Sequence, residues 1–333
     1  MRSFVKRDPN SSPHQLRRSR PSSKACFLMC PPRHFVVEYE INPWMDAKAW
    51  ARRANTLSRA AERQWLNFHD ILLALGATVK YVTPRPDLPD LVFTANAAIV
   101  LGGIALLSRF RHPERQREQP VFAAAFYALK ARGQIESIIE TPETLVLEGA
   151  GDCIWDGARG HFWMGFGPRS HSAASEVVSE TFAVECEPLE LGDPRFYHLD
   201  TAFCPLPSGD VMYYPEAFTP AARGRIAERL APEQRIELEH QDAAAFAANA
   251  VAFDHSIVLS RCSQRLRRIL EERGVVVATA PLDAFRLGGG SACCLTLRLD
   301  HCGDASTADA VLPPSKTFGS EMLLPALPGT EAE

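Results

Sequence analysis

The chain has no apolar run approaching the roughly 20 residues that a membrane helix requires, so no helical membrane span is expected. It has no Cys-x-x-Cys pair, and its nine cysteines (26, 30, 153, 186, 204, 262, 293, 294 and 302) are odd in number and scattered. That pattern opposes a zinc site or a disulfide scaffold and suits reduced thiols in a cytoplasmic protein. Charge of one sign is also missing in bulk: a net charge of −4 gives no footprint for nucleic acid. The glycine pair Gly165-Phe166-Gly167 is followed by Pro168 and lacks a third glycine, which makes it a poor dinucleotide fingerprint. What is present, 46% hydrophobic and 23% charged residues over 333 positions, is the composition of an ordinary globular protein.

The two ends differ from the rest. Residues 1–25 hold seven Lys or Arg and a single acid, Asp8. Such a stretch cannot bury enough apolar surface to offset its ordering entropy, so a disordered basic tail is expected there. An Arg- and Ser-rich start also resembles a transit peptide, while the absence of an apolar h-region argues against secretion. From residue 303 the periodicity is lost and a second tail is expected over 303–333. No linker-like stretch divides residues 26–302, which therefore read as a single domain.

Between the tails, short apolar runs alternate with helical patterns. A strand is predicted at 26–30, then a long helix from Asp46 to Leu75 with Trp50, Leu57, Trp65, Phe68 and Leu72 on one side. Strands follow at 79–82, 91–93, 98–101 and 104–107, a helix at 120–132, and strands at 135–139 and 145–148. A hairpin at 153–155 and 161–166 precedes a helix at 172–182 and a strand at 184–189. The same order recurs over 202–239 and over 250–279. The unit is ββαβ, and repeats of one supersecondary unit stack or close into a ring. A ring would gather residues 50 to 100 apart at one central cavity. The expected fold class is thus α/β, built from pseudo-symmetric ββαβ repeats.

The chemistry-bearing residues stand where strands meet polar or glycine punctuation. Leu287-Gly288-Gly289-Gly290-Ser291-Ala292-Cys293-Cys294 places two thiols after glycines whose missing Cβ allows tight turns and close approach to a ligand. Read as the start of a strand, Cys293 and Cys294 would face opposite sides, so only one could enter a cavity. His198 and Asp200, in Tyr197-His198-Leu199-Asp200-Thr201, would share one face of a strand end. Leu147-Glu148-Gly149-Ala150-Gly151-Asp152 offers two acids among glycines, and Phe93-Thr94-Ala95-Asn96-Ala97 ends in an amide. Taken singly these residues read as a buried small hydrophobe, a structural histidine and turn-capping acids. Arg109, Arg111, Arg115 and Arg117 read equally well as a solvated charged face. A metal site from His198, Asp200 and Cys204 is opposed by its mixed ligand softness.

In this order the motifs match a family. With Leu28-Met29-Cys30-Pro31-Pro32-Arg33-His34-Phe35, Glu40-Ile41-Asn42-Pro43-Trp44-Met45 and Ser108-Arg109-Phe110-Arg111-His112-Pro113-Glu114-Arg115, the chain resembles the guanidine-modifying enzymes of the pentein superfamily. The resemblance covers roughly residues 26–300 and is strongest for the dimethylargininase-like and arginine-dihydrolase-like branch. It implies a five-bladed α/β propeller and a cofactor-free, metal-free hydrolase. The substrate implied is a small guanidino molecule, arginine or an Nω-methylated arginine.

The resemblance makes Cys294 the nucleophile, in the form Cys294-Leu295-Thr296, with His198 as general acid and base. Glu148 and Asp200 would hold the guanidinium, and Arg169 and Arg115 would clamp the α-carboxylate. Asn96 stands where many relatives carry aspartate; the dihydrolase-like branch, which yields ornithine, is similar to this chain in having Asn there, and stand-alone dimethylargininase-like proteins share the motif. An amidinotransferase and a catalytically silent binding module are the alternatives. The oligomeric state, a homo-oligomer included, is left open.

Overall fold

The computed structural model describes residues 24–301. They form five three-stranded sheets. The strands are β1 (Cys26–Met29), β2 (Thr78–Tyr81), β3 (Ala98–Leu101), β4 (Ile104–Leu107), β5 (Ser137–Glu140), β6 (Cys153–Asp156), β7 (His161–Phe166) and β8 (Cys186–Glu190). They continue as β9 (Phe203–Pro205), β10 (Val211–Tyr213), β11 (Arg235–Glu237), β12 (Val251–Phe253), β13 (Ser256–Leu259), β14 (Val276–Thr279) and β15 (Leu297–Arg298).

Four sheets are continuous in sequence, and in each a short turn makes an antiparallel pair while a crossover helix returns the third strand in parallel. The fifth is assembled from both ends of the described chain: β15 pairs antiparallel with β1, and β1 pairs parallel with β2. That pairing closes the ring, so the fold is the five-bladed ββαβ propeller expected from the repeat. In β15, Leu297 and Arg298 pair with Leu28 and Phe27, and Leu299 N continues the contact to the Cys26 carbonyl at 2.8 Å.

Burial falls at the outer strands. Every residue of β3 and β10 is buried, whereas the outer strands β2, β5 and β14 are half-buried or exposed at each position. The helix Ala54–Ala74 buries Leu57, Ala61, Trp65, Phe68 and Leu72 against its sheet. The long helix expected from Asp46 onward is divided, because Ala47–Ala51 is a separate turn capped by Asp46, whose carboxylate accepts from Ala49 N at 2.7 Å.

Two expected strands are absent. Pro89–Val92 is a 3-10 turn, not a strand, since Pro89 cannot donate to a ladder and sits comfortably in a first helical turn. Residues 145–148 contribute only a single bridge, Arg109 to Leu147. The tails expected at 1–25 and 303–333 lie outside the described residues except for Lys24 and Ala25. Ala25 is buried and its carbonyl accepts from Thr78 N at 2.7 Å, so ordered structure starts before β1.

Candidate active site

The inner strand of each blade is entered through a short turn, and these five turns converge. Thr94–Ala97 precedes β3, Gly149–Gly151 precedes β6, and Leu199–Thr201 precedes β9. Residues 246–250 precede β12 and residues 291–296 precede β15. Each turn carries a candidate: Asn96, Glu148, His198 with Asp200, then Asn249, then Cys294. The last two mouths bond directly, as Cys293 N donates to the Asn249 carbonyl at 3.3 Å. On its other side the same mouth meets the first, as Ala95 N donates to the Cys294 carbonyl at 3.2 Å.

Cys294, His198, Glu148 and Asp200 are each at most 3% exposed. The Cys294 thiol donates to Asp200 Oδ2 at 3.2 Å. His198 Nε2 lies 2.7 Å from Glu148 Oε2, and the same oxygen accepts from Arg169 Nη1 at 2.9 Å. Glu148 Oε1 accepts from Arg111 N at 2.9 Å. Burial alone would push the Glu148 carboxyl up, but the Arg169 guanidinium and His198 outweigh it and hold the group well below the usual carboxylate range.

Among the described residues, no ion pair reaches Asp200. Burial pushes it up to about 7, against the hydrogen bonds from Cys294 and Asn249. The Cys294 thiol is pushed well above its usual range, first by burial and then by the Asp200 charge. At neutral pH the ligand-free thiol is therefore protonated, and its proton faces Asp200.

The remaining candidates occupy the same network. Asn96 Nδ2 donates to the Glu148 carbonyl at 2.9 Å, and its Oδ1 accepts from Arg115 Nη1 at 2.8 Å. Arg115 is buried, which removes the reading of it as a solvated charged face. It makes a two-pronged pair with Glu118 and reaches the Asp90 carbonyl at 3.3 Å. Arg169 lies over the Tyr197 ring at 4.6 Å and donates to the Ile41 carbonyl at 2.9 Å. Residues 41–44 cover the site: Asn42 Nδ2 donates to the Gly288 carbonyl and Trp44 Nε1 to the Arg195 carbonyl.

Three local expectations change. His198 and Asp200 stand on a 3-10 turn, not a strand, and point to opposite halves of the site, toward Glu148 and toward Cys294. Cys293 and Cys294 lie in a turn closed by Leu295 N donating to the Ser291 carbonyl. Both thiols are beside Asp200, but Cys294 also accepts from Asn249 Nδ2, while Cys293 lines a cavity of about 120 Å³ with Cys153, Cys204 and Trp155. The glycines make room for side chains as well as for a turn. Gly289 has φ +88°, and a Cβ there would lie 2.6 Å from Asn42 Nδ2 and 2.7 Å from the Tyr197 hydroxyl.

Residues missed in sequence are Asn249, Ser170 and Asp90. Asp152 accepts from Leu199 N and from Ser170 Oγ, both outside its own glycine turn, and Ser170 Oγ in turn accepts from Glu148 N. Asp90 is buried beside Arg115 with one oxygen unpartnered. Asn249 did carry a signal: Phe246-Ala247-Ala248-Asn249-Ala250 repeats the Phe-x-Ala-Asn-Ala pattern that ends at Ala97. Among the described residues no cluster of three or more His, Cys, Asp or Glu side chains is placed to hold a metal ion, the His198, Asp200 and Cys204 set included. None of their helices is long and apolar enough to cross a membrane.

Residues 31–300 match the family described as N,N dimethylarginine dimethylhydrolase, eukaryotic. The bifunctional arginine dihydrolase/ornithine cyclodeaminase AgrE of Nostoc sp. is 42% identical over 84% of this chain, and the match spans 38% of AgrE. The N(G),N(G)-dimethylarginine dimethylaminohydrolase of Mycobacterium tuberculosis is 34% identical over 82% of this chain and 85% of its own length. Among solved structures, the N-terminal domain of ArgZ, a cyanobacterial arginine dihydrolase, bound to substrate as a cysteine-to-serine variant, superposes with a TM-score of 0.77. It is 39% identical and covers 84% of this chain and 99% of that domain. The chain thus spans well under half of the bifunctional relatives it matches. On the family match and these identities, the chain belongs to the dimethylarginine dimethylhydrolase family of penteins, in its dimethylargininase and arginine dihydrolase-like branch.

Proposed function

We propose that this chain, as one catalytic domain over residues 26–302, hydrolyses the guanidino group of arginine through a covalent adduct on Cys294. The observation that carries the reading is the pairing of a thiol with one buried carboxylate and of an imidazole with another, at the meeting point of five blades. A guanidinium is a flat cation with paired N–H donors, which matches Glu148 and Asp200 as acceptors. The Asp200 half of the site holds no cation of its own, so a substrate cation there would draw a negative charge onto both Asp200 and the thiol.

As the substrate cation docks, the Cys294 thiol gives up its proton to solvent, and the thiolate adds to the guanidinium carbon, forming a C–S bond. His198 donates its proton to the departing nitrogen as the C–N bond breaks, and ammonia leaves. Water then adds to the thiouronium carbon as His198 takes its proton. The C–S bond breaks, the thiolate returns, the remaining hydroxyl proton passes to solvent, and citrulline is formed. A second pass on the ureido carbon would break its bond to the terminal nitrogen, release ammonia and leave a thiocarbamate on Cys294. Water would then break the C–S bond to give a carbamate, which loses carbon dioxide and leaves ornithine. Arg169 and Arg115 are proposed to hold the α-carboxylate, Arg169 by exchanging part of its contact with Glu148 for the substrate.

Two passes are favoured over one by Asn96, whose neutral amide stands next to Glu148, and by the 42% identity with AgrE. The second reading, a dimethylargininase giving citrulline and dimethylamine, is supported by the family description and the Mycobacterium tuberculosis relative. Product analysis by mass spectrometry after separate incubation with arginine and with asymmetric dimethylarginine tests the choice. Ornithine with two equivalents of ammonia supports the first; citrulline with dimethylamine supports the second. Wild-type turnover by Cys294→Ser removes the covalent mechanism from both.

A further inference from the structure

Asn249 is buried between the nucleophile and Asp200, and every polar atom of its side chain is used. Its Nδ2 donates to Cys294 Sγ at 3.0 Å and to the Asp200 carbonyl at 3.2 Å. Its Oδ1 accepts from Ser291 N at 3.1 Å and from Cys294 N at 3.2 Å. This set leaves one orientation for the amide. Turned over, its oxygen would face the Asp200 carbonyl and its NH2 would face two N–H donors.

The place in the fold is equally specific. Asn249 precedes β12 by two residues, as Asn96 precedes β3 by two, each inside a Phe-x-Ala-Asn-Ala segment. Each amide also donates to the backbone carbonyl of a site acid, Asn96 to Glu148 and Asn249 to Asp200. The two turns are one device used twice, and only the Asn249 copy reaches the sulfur.

We infer that Asn249 is a further catalytic residue, whose side-chain amide holds Cys294 Sγ in place and stabilises it as a thiolate through each passage between free thiol and adduct. The inference rests on Cys294 being the nucleophile. A donor to sulfur favours the anion, and this one opposes burial and the Asp200 charge, which favour the thiol. The other titratable groups that face the sulfur, Cys293 and the Tyr197 hydroxyl, bring no positive charge to it. The Ser291 backbone N–H also favours the ionised form, and Asn249, whose Oδ1 holds that same N–H group and whose Nδ2 meets Sγ, is the side chain that does so before substrate arrives.

The test is the pH dependence of Cys294 alkylation by iodoacetamide in the full chain, followed by peptide mass spectrometry, in wild type, Asn249→Ala and Asn249→Ser. The midpoint should move to higher pH by about one unit in Asn249→Ala and by less in Asn249→Ser, whose hydroxyl can still donate. With arginine, kcat should fall by about 10²-fold in Asn249→Ala with a smaller change in KM. Unchanged midpoints in folded variants would overturn the inference. If Asn249→Ala fails to fold, the Asn249→Ser midpoint decides. Turnover by Cys294→Ser would instead sink the nucleophile reading, and an inactive Cys294→Ser beside unshifted Asn249 variants would sink this inference alone.

Discussion

Glu148 and Asp200 are both fully buried carboxylates, each on the turn that enters an inner strand of neighbouring blades. Glu148 faces Arg169 and His198, and it is held ionised. Asp200 faces a thiol and an amide, and burial raises it to about 7. The same residue class at equivalent depth thus has opposite protonation preferences. The difference lies in which charges the adjoining blades supply. One half of the site is electrically complete without a ligand, whereas the other is completed by a cation. That asymmetry is what a guanidinium site requires, since a fully compensated pocket would have no preference for a positively charged guest.

The largest effect is expected from removing the sulfur in the Asp200 half. Cys294→Ser should lower kcat by about 10⁴-fold or more in an ammonia-release assay, with the fold intact by circular dichroism.

Next comes a matched pair that tests the comparison on stability. Glu148→Gln strands the buried Arg169 guanidinium without its counter-charge and should cost about 3–5 kcal/mol in urea unfolding. Asp200→Asn strands no cation and should be neutral or stabilising by roughly 1–2 kcal/mol above neutral pH. Both should lose most activity. Equal destabilisation by the two would break the comparison.

The pH dependence sharpens it. The folded-state value of Asp200, about 7, lies above its ordinary 3.8, so the folded state binds the proton more tightly. Its contribution therefore lowers stability as pH rises from about 4 through about 7. Glu148 is depressed in the folded state, so its stabilisation is present at neutral pH and is lost only on acidification through and below the usual carboxylate range. Melting curves across that range should show the gap between Asp200→Asn and wild type widening as pH rises.

The smallest effect is expected at Asn96. Asn96→Asp gives up the N–H donated to the Glu148 carbonyl but keeps an oxygen for Arg115, so stability should change by about 1 kcal/mol. Its main readout is the ratio of ornithine to citrulline, which should fall.

Much of the architecture was legible because it depends on local pattern. Four of the five blades follow the predicted order of hairpin, helix and parallel strand, and the buried stripe of the helix Ala54–Ala74 contains the predicted Leu57, Trp65, Phe68 and Leu72. The errors fall at the blade mouths. Pro89–Val92, the segment before Glu148, and the His198 and Asp200 pair all look like strand ends by apolar content, yet they form tight turns or single bridges. Hydrophobicity reports burial, and at the centre of a ring turns are as buried as strands. Asn249 shows the complementary loss: its pattern was present twice in the chain, but nothing local says that one copy meets a thiol.

By itself the sequence determined the ββαβ repeat, the family and the residue types gathered at the centre, because periodicity and motif order are properties of neighbouring residues. Only the tertiary structure decided that β15 closes on β1, that the Cys294 thiol is held between Asp200 and Asn249, and that Glu148 and Asp200 differ in charge. Those outcomes depend on partners about 20 to 270 residues away, and in a buried site a carboxylate's protonation state is set by the charges that packing brings within a few ångströms.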